Sequence, residues 1–199
     1  MIGNDIVDLD DPESRPASRH PRFDARAFAT EERALIAAST DAERTRWTLW
    51  AAKESAYKVA RQHAPATVFA PSRFLVRLED AGQATVRVGD RRFDVRIAFG
   101  AGHVHAVACG AEDPPEALCA AVAELPPGAP PASTAVRRLA IATLAHALRI
   151  SPDDLTIHRD RRVPTLWLRG RPSPAALSLS HHGRFVAFAC AVSPSPKRT

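Results

Sequence analysis

A nine-residue stretch, Trp50–Lys58, places an acid and a base where they could act together. The stretch reads as helix, and residues four apart on a helix share a face, so Trp50, Glu54 and Lys58 line up. Trp47 lies one turn earlier on the same side. A carboxylate beside aromatic rings is costly to bury unless it is paired or binds a metal. The alternative is a surface Glu–Lys pair, which contributes only about 0.2–0.5 kcal/mol.

A second acid lies in an apolar setting at the N-terminus, in the segment Gly3–Leu9. Alternate residues of a strand share a face, so Asp5 is expected to point with Gly3 and away from Asp8. The apolar pair that follows Asp5 indicates that this carboxylate is not simply solvated. A turn-forming Asn-Asp at a frayed terminus is the alternative, and it leaves the apolar neighbours unexplained.

A third group of polar side chains lies near the C-terminus, in the segment Leu177–Arg184. Here a predicted strand delivers hydroxyls and an imidazole into a turn, and an arginine follows. Such donors suit a phosphate or a pyrophosphate. A structural histidine at a strand end is the alternative interpretation.

Composition limits the class of protein. The chain has 199 residues, 45% of them hydrophobic and 25% charged, which is typical of soluble globular proteins with one large or two small domains. No apolar run reaches membrane-spanning length, and the N-terminus lacks the pattern of a signal peptide. Three widely spaced cysteines favour buried thiols in a reducing cytoplasm over disulfides or a zinc cluster. The net charge of +5 favours an acidic partner: nucleic acid, a phosphorylated ligand or an acidic protein.

Proline-rich sequence divides the chain into two halves. Residues 1–110 carry the first two groups of polar residues, and residues 132–199 carry the third. Residues 111–131 between them predict a linker that contains a short helix over Ala117–Glu124.

Hydrophobic patterning predicts the same order of elements in both halves: helix, then strands, then an apolar terminal strand. Thr30 is the expected N-cap of the second element, and Gly89-Asp90 supplies a hairpin turn. The first half is predicted to contain strand Ile2–Leu9, helices Thr30–Ser39 and Ala42–Gln62, and strands Phe74–Leu78, Thr85–Val88, Phe93–Phe99 and His103–Cys109. The second half is predicted to contain helix Thr134–Arg149 and strands Leu155–His158, Thr165–Leu168, Leu177–Ser180 and Phe185–Val192.

The two terminal strands resemble each other. Gly102–Cys109 can be laid over Gly183–Cys190 without a gap, and Gly, Ala and Cys recur in register. Chance similarity between strands rich in Ala and Val is the alternative. The pattern favours a duplicated unit, and so an α+β fold with two similar halves related by a pseudo-twofold axis.

Together the three motifs resemble those of the 4′-phosphopantetheinyl transferase superfamily. Its signature is Gly-x-Asp on a strand, Trp-x-x-Lys-Glu-x-x-x-Lys on a helix and Ser-x-Ser-His on another strand. This chain has them as Gly3–Asp5, Trp50–Lys58 and Ser178–His181. The helix motif is quite specific, whereas the other two are weak singly.

The resemblance extends over most of the chain. Arg22-Phe23 and Phe28–Glu32 are similar to the region that follows the Asp motif in holo-acyl-carrier-protein synthases. Arg137–Pro164 is similar to the N-terminal half of the surfactin-synthetase-activating type.

The order of the motifs departs from that of the two-domain members, in which Ser-x-Ser-His precedes Gly-x-Asp. Here it comes last, as in a circular permutant, which a pseudo-twofold fold tolerates if its termini lie close together. We therefore expect His181 to face Asp5 across one cleft.

The resemblance implies transfer of phosphopantetheine from coenzyme A to a serine of a carrier protein, with release of adenosine 3′,5′-bisphosphate. It implies Mg²⁺ held by Asp5 and Glu54, with water and a coenzyme A phosphate completing the shell. Many two-domain members have a third acid two residues after the Asp, where this chain has Val7. The absence of that acid bears on metal affinity more than on activity.

The resemblance also implies roles for the polar residues around the metal. Lys58 would contact the phosphate, and either it, Glu54 or a metal-bound water would take the proton from the serine. Ser180 and His181 would hold the pyrophosphate and the 3′-phosphate side of coenzyme A. Lys53, on another helical face, is expected to be an ion-pair partner.

Further arginines are expected at the nucleotide end of coenzyme A. Arg137 matches a basic residue that the two-domain family uses on the 3′-phosphate, and Arg138 is the second choice. The family's Gly-Lys-Pro motif is replaced here by Arg162-Val163-Pro164, so Arg161 or Arg162 would substitute for its lysine.

The implied partner is an acidic acyl or peptidyl carrier protein, which a basic chain would attract. Phe23 and Phe28, near Arg22 and Arg26, are expected to pack in the core rather than to dock the carrier. A pseudo-dimer completes its cleft within one chain, so we expect a cytoplasmic monomer without nucleic-acid or membrane partners.

Three alternatives remain open at this stage. The first is an inactive relative that binds coenzyme A or a carrier protein. The second is a basic nucleic-acid-binding module, although the basic residues are scattered and no zinc spacing or aromatic-basic platform is present. The third is a metal site built from histidines, for which the candidates are His103, His105, His181 and His182.

Overall fold

Two five-stranded antiparallel sheets, each packed against one long helix, form the α+β fold. The computed structural model describes residues 1–79, 82–111, 115, 117–160 and 163–192. The strand orders are β1-β5-β4-β3-β2 in the first sheet and β6-β10-β9-β8-β7 in the second. The elements of the first half are β1 (Ile2–Asp8), α1 (Phe23–Ala27), α2 (Thr30–Ala38), α3 (Ala42–His63), β2 (Leu75–Leu78), β3 (Gln83–Val88), β4 (Arg91–Gly100) and β5 (His103–Gly110). Those of the second half are β6 (Ala117–Glu124), α4 (Ala132–Leu148), β7 (Leu155–Asp160), β8 (Val163–Leu168), β9 (Arg171–His182) and β10 (Phe185–Val192).

The two halves share one topology. In each, the first strand is followed by a long helix and then by four strands, the last of which inserts between the first and the fourth. The pairings are equivalent too, since β5 lies between β1 and β4 as β10 lies between β6 and β9. The prediction of two similar α+β halves is confirmed.

One predicted helix is wrong. Residues Ala117–Glu124 form strand β6, which pairs along its whole length with β10. Alanine is the strongest helix former, but intrinsic propensity is a weak determinant that pairing with a neighbouring strand overrides. Part of the segment predicted as a linker therefore belongs to the second sheet, where it takes the place that β1 has in the first.

The predicted N-cap of α2 is also displaced. The cap lies at Ala29, and Thr30 is already the first helical residue. The carboxylate of Glu32 accepts a hydrogen bond from the backbone N–H of Ala29 at 2.7 Å. This bond satisfies one of the free donors at the helix start, so a hydroxyl at the cap is not needed.

Each half has its own core between helix and sheet. In the first, α3 packs on the sheet through residues such as Ala52 and Val59, and in the second α4 packs through Ala140 and Leu144. The halves meet along β1, which packs against β9 and β10 of the second sheet. All seven residues of β1 are buried as a result.

Candidate active site

The three predicted motifs meet at one cavity of about 310 Å³ between α3, β1 and β9. Asp5 and His181, from opposite ends of the chain, both line it, as the order of the motifs predicts. The face of α3 that was predicted from helical spacing also points into it. The lining residues are Asp5, Ile6, Val7, Trp47, Trp50, Glu54, Lys58, Leu179, Ser180, His181 and His182.

Asp5 anchors a polar network that crosses the two halves. Its Oδ1 accepts hydrogen bonds from Lys58 Nζ at 2.8 Å and from Ser180 Oγ at 3.0 Å. Lys58 Nζ also donates to the backbone oxygen of Asn4 at 2.7 Å and lies 3.4 Å from Ser180 Oγ. One carboxylate oxygen of Asp5 is thus held by a cation and a hydroxyl.

Gly3 allows α3 to lie this close to β1. A Cβ at Gly3 would overlap the backbone oxygen of Ser55 and would lie 3.0 Å from Lys58 Cβ. Because Gly3 and Asp5 share a face of the strand, the contact at Gly3 brings Lys58 onto Asp5. The glycine of the Gly-x-Asp motif is therefore required sterically, because a larger side chain would push α3 away from β1.

Glu54 is half-buried in the same cavity, and no described residue donates a hydrogen bond to its carboxylate. Burial raises the pKa of Glu54 to about 7, and the negative charge of Asp5 acts in the same direction, while Lys58 opposes it. A carboxylate whose charged form is disfavoured by burial and by a second carboxylate forms a site that a cation would stabilise.

The donor set fits a hard cation such as Mg²⁺. That ion binds proteins through one or two carboxylates and keeps water or substrate phosphate as its other ligands. Asp5 and Glu54 offer the two carboxylates, and the open cavity leaves room for the remaining ligands. Val7, at the position of the third acid found in many relatives, is buried and offers no ligand.

Asp8 points to the other face of β1, as the strand pattern predicts. Its carboxylate accepts three hydrogen bonds from Arg184, one from the backbone N–H and two from the guanidinium, each at 2.9 Å. Burial acts to raise the pKa of Asp8, but these bonds from Arg184 outweigh it and hold the pKa at about 2. Asp8 thus ties β1 to the turn that follows β9.

Two tryptophans and their neighbours form the aromatic wall of the cavity. Trp47 Nε1 donates to the backbone oxygen of Ser14 at 3.0 Å. Phe23 packs between Trp47 and Trp50, with ring centroids 5.7 and 5.3 Å away. Phe28 is 1% exposed. Phe28 therefore packs in the core, as predicted, whereas Phe23 is half-buried and lines a further cavity with His20 and Arg26.

Lys53 of the helix motif is fully buried and has a structural role, because it links α3 to α2 and to the segment before β2. Its Nζ donates to Glu32 Oε2 at 2.7 Å and to the backbone oxygens of Pro71 and Phe74 at 3.0 and 2.6 Å. The other carboxylate oxygen of Glu32 accepts from the backbone N–H of Val76 at 2.7 Å. The prediction that Lys53 is an ion-pair partner is confirmed.

A second cavity of about 230 Å³ adjoins the first, and the two share Lys58 and Leu179. Arg61 and Arg159 give it positive charge, and Val163 and Pro164 lie on its wall. Neither arginine was predicted from the sequence. The signal for Arg61 was present, because it follows Glu54 and Lys58 at helical spacing on the same face. Arg159 reaches the cavity only through the strand pairing of the second half.

Two of the arginines that were predicted from the sequence, Arg137 and Arg138, lie outside these cavities. Arg137 donates to the backbone oxygen of Ile157 at 2.9 Å, which links α4 to β7. Arg138 is exposed on α4. Neither lines the two cavities described above. Arg161 and Arg162 fall outside the described residues, so their predicted role stays a prediction.

The four candidate histidines do not gather into a metal site. Burial lowers the pKa of His105 to about 4, and His103 and Lys58 act in the same direction. Its Nε2 lies 3.3 Å from Asn4 Oδ1. His103 stacks on Phe185 with ring centroids 4.5 Å apart.

Within the described part of the chain, one group of three metal-ligating side chains comes together: Asp11, Glu13 and His182 have ligand atoms within 4.8 Å of one another. Acidic groups at a surface commonly lie this close without an ion, and we assign none here.

Sequence comparison identifies the class of protein that this site defines. The family model of the 4′-phosphopantetheinyl transferase superfamily matches residues 1–119, which include the Asp and helix motifs. The chain therefore belongs to that superfamily. No curated protein matches it in sequence. None of the described helices is long and apolar enough to span a membrane.

Proposed function

We propose that the chain transfers the 4′-phosphopantetheine group from coenzyme A to a serine of an acyl or peptidyl carrier protein. The reaction forms a phosphodiester on the serine and releases adenosine 3′,5′-bisphosphate. Membership of the superfamily supports a phosphopantetheinyl transferase. The substrates, the Mg²⁺ requirement and the holo-acyl-carrier-protein synthase type belong to this proposal.

One observation carries the proposal: two carboxylates, an amine and an imidazole from three separate motifs line one cavity. Asp5, Glu54 and Lys58 come from the first half, and Ser180 and His181 come from the second. A structural role for each motif alone would not require this convergence. A pyrophosphate that bridges a metal and basic groups does require it.

Asp5 and Glu54 would hold Mg²⁺. When bound, the ion would neutralise the pyrophosphate and so favour attack by the serine oxygen on the β-phosphorus. Glu54 must lose its proton to serve as a ligand, and its raised pKa of about 7 makes that loss complete only above neutral pH.

Lys58 suits the role of a cation, because its Nζ forms an ion pair with Asp5 Oδ1 at 2.8 Å. A charged Lys58 at the boundary between the two cavities would bind a phosphate oxygen and stabilise the leaving bisphosphate. The serine proton would then pass to Glu54 or to a water beside it.

The second cavity is the place we assign to the nucleotide end of coenzyme A. Arg61 and Arg159 supply positive charge for phosphate, and Pro164 supplies an apolar wall. Lys58 and Leu179 border both cavities, so a ligand that crosses at this point would reach from the arginines to Asp5 and Glu54.

The carrier protein would approach the first cavity from outside. Carrier proteins are acidic, and the net charge of +5 favours the encounter. Since both halves contribute to the cavity, one chain would suffice for catalysis, and a cytoplasmic monomer remains our working proposal.

The decisive experiment is intact-mass analysis of several apo carrier proteins after incubation with the protein, coenzyme A and Mg²⁺, with and without a chelator. We expect a gain of one phosphopantetheine group that the chelator abolishes. Binding of coenzyme A without transfer to any carrier would instead support the inactive relative, and salt-sensitive binding of nucleic acid without a response to coenzyme A would support the nucleic-acid-binding module.

A matched pair of variants tests the assignment of the second cavity. Arg61→Gln removes one charge from its wall and should raise the KM for coenzyme A about 10-fold, because a hydrogen bond between charged groups is lost. Arg87→Gln removes an exposed charge on β3 and should leave the KM unchanged. Equal KM values for the two variants would place the nucleotide elsewhere.

A further inference from the structure

Within the described part of the chain, no strand pairs with the outer edge of β1, yet side chains form hydrogen bonds with the backbone along that edge. β1 lies at the edge of its sheet, and β5 takes only its other side. Side-chain acceptors meet the four outward N–H groups: Gln62 Oε1 at Ile2 (3.3 Å), Ser178 Oγ at Asn4 (2.9 Å), Ser180 Oγ at Ile6 (3.3 Å) and His182 Nδ1 at Asp8 (3.1 Å).

Three of the four outward carbonyl groups also accept a hydrogen bond from a side chain. Gln62 Nε2 donates to the oxygen of Ile2 at 2.7 Å, Lys58 Nζ to that of Asn4 at 2.7 Å, and Ser14 Oγ to that of Asp8 at 2.6 Å. Side chains thus replace the backbone of a missing strand. Because β1 is buried, leaving these groups unpaired would cost about 1–3 kcal/mol each.

Three of the four acceptors come from alternate residues of β9. Ser178, Ser180 and His182 share one face of that strand, and their spacing of two residues matches the spacing of the outward N–H groups on β1. A slip of β1 by one residue would lose all three bonds together. The contact therefore fixes the register between the two halves.

Asp5 lies between the bonded positions Asn4 and Ile6. Its carboxylate is aimed by the backbone of β1, so its position depends on the bonds on either side. Ser180 also bonds the carboxylate directly, whereas Ser178 does not. Ser178 is 3% exposed and does not line the cavity of Asp5 and Glu54, although it borders the second cavity.

We propose that Ser178 and His182 are positioning residues that hold β1, and with it Asp5, in the geometry needed to bind a cation and act on coenzyme A. The catalytic part of this inference rests on the proposed function. The structural part of the inference is that side chains of the other half form hydrogen bonds with a buried strand edge, and this part does not depend on the proposed function.

The test compares Ser178→Ala with the conservative Ser178→Thr, and uses Ser173→Ala as the matched control on the same strand. Ser173 accepts a hydrogen bond only within its own strand, from Ala175 N–H at 3.2 Å. Three quantities are measured for each variant: hydrogen exchange of the Asn4 amide, affinity for Mn²⁺ without coenzyme A, and kcat and KM for coenzyme A separately.

For Ser178→Ala we expect faster exchange at Asn4, weaker Mn²⁺ binding by about 10-fold and a fall in kcat of similar size, as for other residues that orient metal ligands. The KM for coenzyme A should stay within about twofold of wild type. Ser178→Thr keeps the hydroxyl and should restore all three quantities, and Ser173→Ala should change none.

A raised KM with unchanged kcat would show that Ser178 binds coenzyme A itself, and unchanged exchange and Mn²⁺ affinity would show that the bond has no positioning role. Either result overturns the inference. If the wild-type protein modifies no carrier, the proposed function fails, but amide exchange and Mn²⁺ binding still decide this inference. His182→Asn, whose amide oxygen can accept the Asp8 N–H, against His182→Leu repeats the exchange test at Asp8.

Discussion

The first strands of the two halves occupy the same place in their sheets, but only β1 carries an acid at the position of Asp5. Asp5 pairs with Ala106, and Val122 of β6 pairs with Ala187. These two alanines coincide when the terminal strands are laid over one another without a gap. Val122 is therefore the counterpart of Asp5. The two halves provide two equivalent positions, and only the one in β1 has a carboxylate.

A second pair of counterparts, two residues before Asp5 and Val122, differs in the size of the side chain. Gly3 pairs with Ala108, and Ala120 pairs with Ala189, which again correspond. The first half lacks a Cβ just where α3 approaches its strand. The close approach of helix to strand and the acid two residues later thus occur together, in the half that carries the site.

The two strands also differ in burial. Every residue of β1 is buried, whereas every residue of β6 is half-buried or exposed. Burial of β1 creates the need for the side-chain bonds along its edge, and three of these bonds come from β9 of the other half. The comparison indicates that a site between the halves requires one strand to be buried. The polar residues of β9 are needed because they supply hydrogen bonds to the backbone of that buried strand.

The largest effect on stability is expected when the buried lysine of α3 is replaced by an apolar residue. The buried residues of α4 are all apolar: Ala, Val and Leu. Lys53→Met leaves the carboxylate of Glu32 buried without its cation, which should lower the free energy of unfolding by about 3–5 kcal/mol. Urea denaturation measures this change.

The double variant Lys53→Met with Glu32→Gln removes the buried charge and keeps an acceptor for one of the two backbone N–H groups, so it should recover part of the loss. A single Lys53→Met variant as stable as wild type would contradict the structural role of the pair.

The second prediction makes β1 resemble β6 at the site itself. Asp5→Asn keeps the shape of the side chain but removes the charge that would hold the cation, so transfer should fall by at least about 100-fold. Intact-mass measurement of carrier modification gives the rate. Val122→Thr alters the counterpart position and should leave the rate near wild type, whereas equal losses in both variants would indicate damage to the fold.

The site residues differ in how far the sequence could predict them. Asp5, Glu54 and Lys58 were predicted because helix and strand periodicity place each on a defined face, and the structure brings them to one cavity. His181 was expected opposite Asp5 from the order of the motifs alone. Arg159 could not be predicted, because its position depends on strand pairing across the second half.

The same distinction applies to the fold: elements defined by a local sequence pattern could be predicted, and those defined by long-range pairing could not. The helix and strand boundaries of the first half follow the periodic pattern closely, since each element buries a face of its own. The alanine-rich strand β6 was mistaken for a helix, because its conformation is decided by pairing with β10, nearly 70 residues away. The side-chain bonds along β1 likewise depend on the docking of two halves, which no local pattern records.

The third prediction exchanges the small residues at the counterpart positions. Gly3→Ala places a methyl against the backbone oxygen of Ser55, which cannot move without α3, and should destabilise the protein by about 1–3 kcal/mol. Ala120→Gly is the matched control on exposed β6 and should cost about 0.5–1 kcal/mol. Thermal unfolding of both variants measures the difference, and a smaller cost at Gly3 than at Ala120 would contradict the close approach.

The smallest effect concerns Glu54 and its raised pKa. The pKa of about 7 in the folded state exceeds the ordinary value of 4.5, so the folded protein binds more protons than the unfolded chain between these values. Stability therefore falls as pH rises from about 4.5 to 7, and the loss is complete above pH 7. Glu54→Gln removes this loss and should stabilise the metal-free protein at pH 8 by about 1–2 kcal/mol, allowing for partial solvent screening.

Added Mg²⁺ should stabilise wild type at pH 8 and have little effect on Glu54→Gln, because the cation offsets the same repulsion. Denaturation at pH 5 and pH 8, with and without Mg²⁺, separates the two contributions. Glu124→Gln on exposed β6 serves as the control, since its carboxylate lies near no second acid of the cavity. A glutamine at position 54 that destabilises the protein at pH 8 would mean that the two carboxylates are already balanced by Lys58, and that the site does not need a cation to be stable.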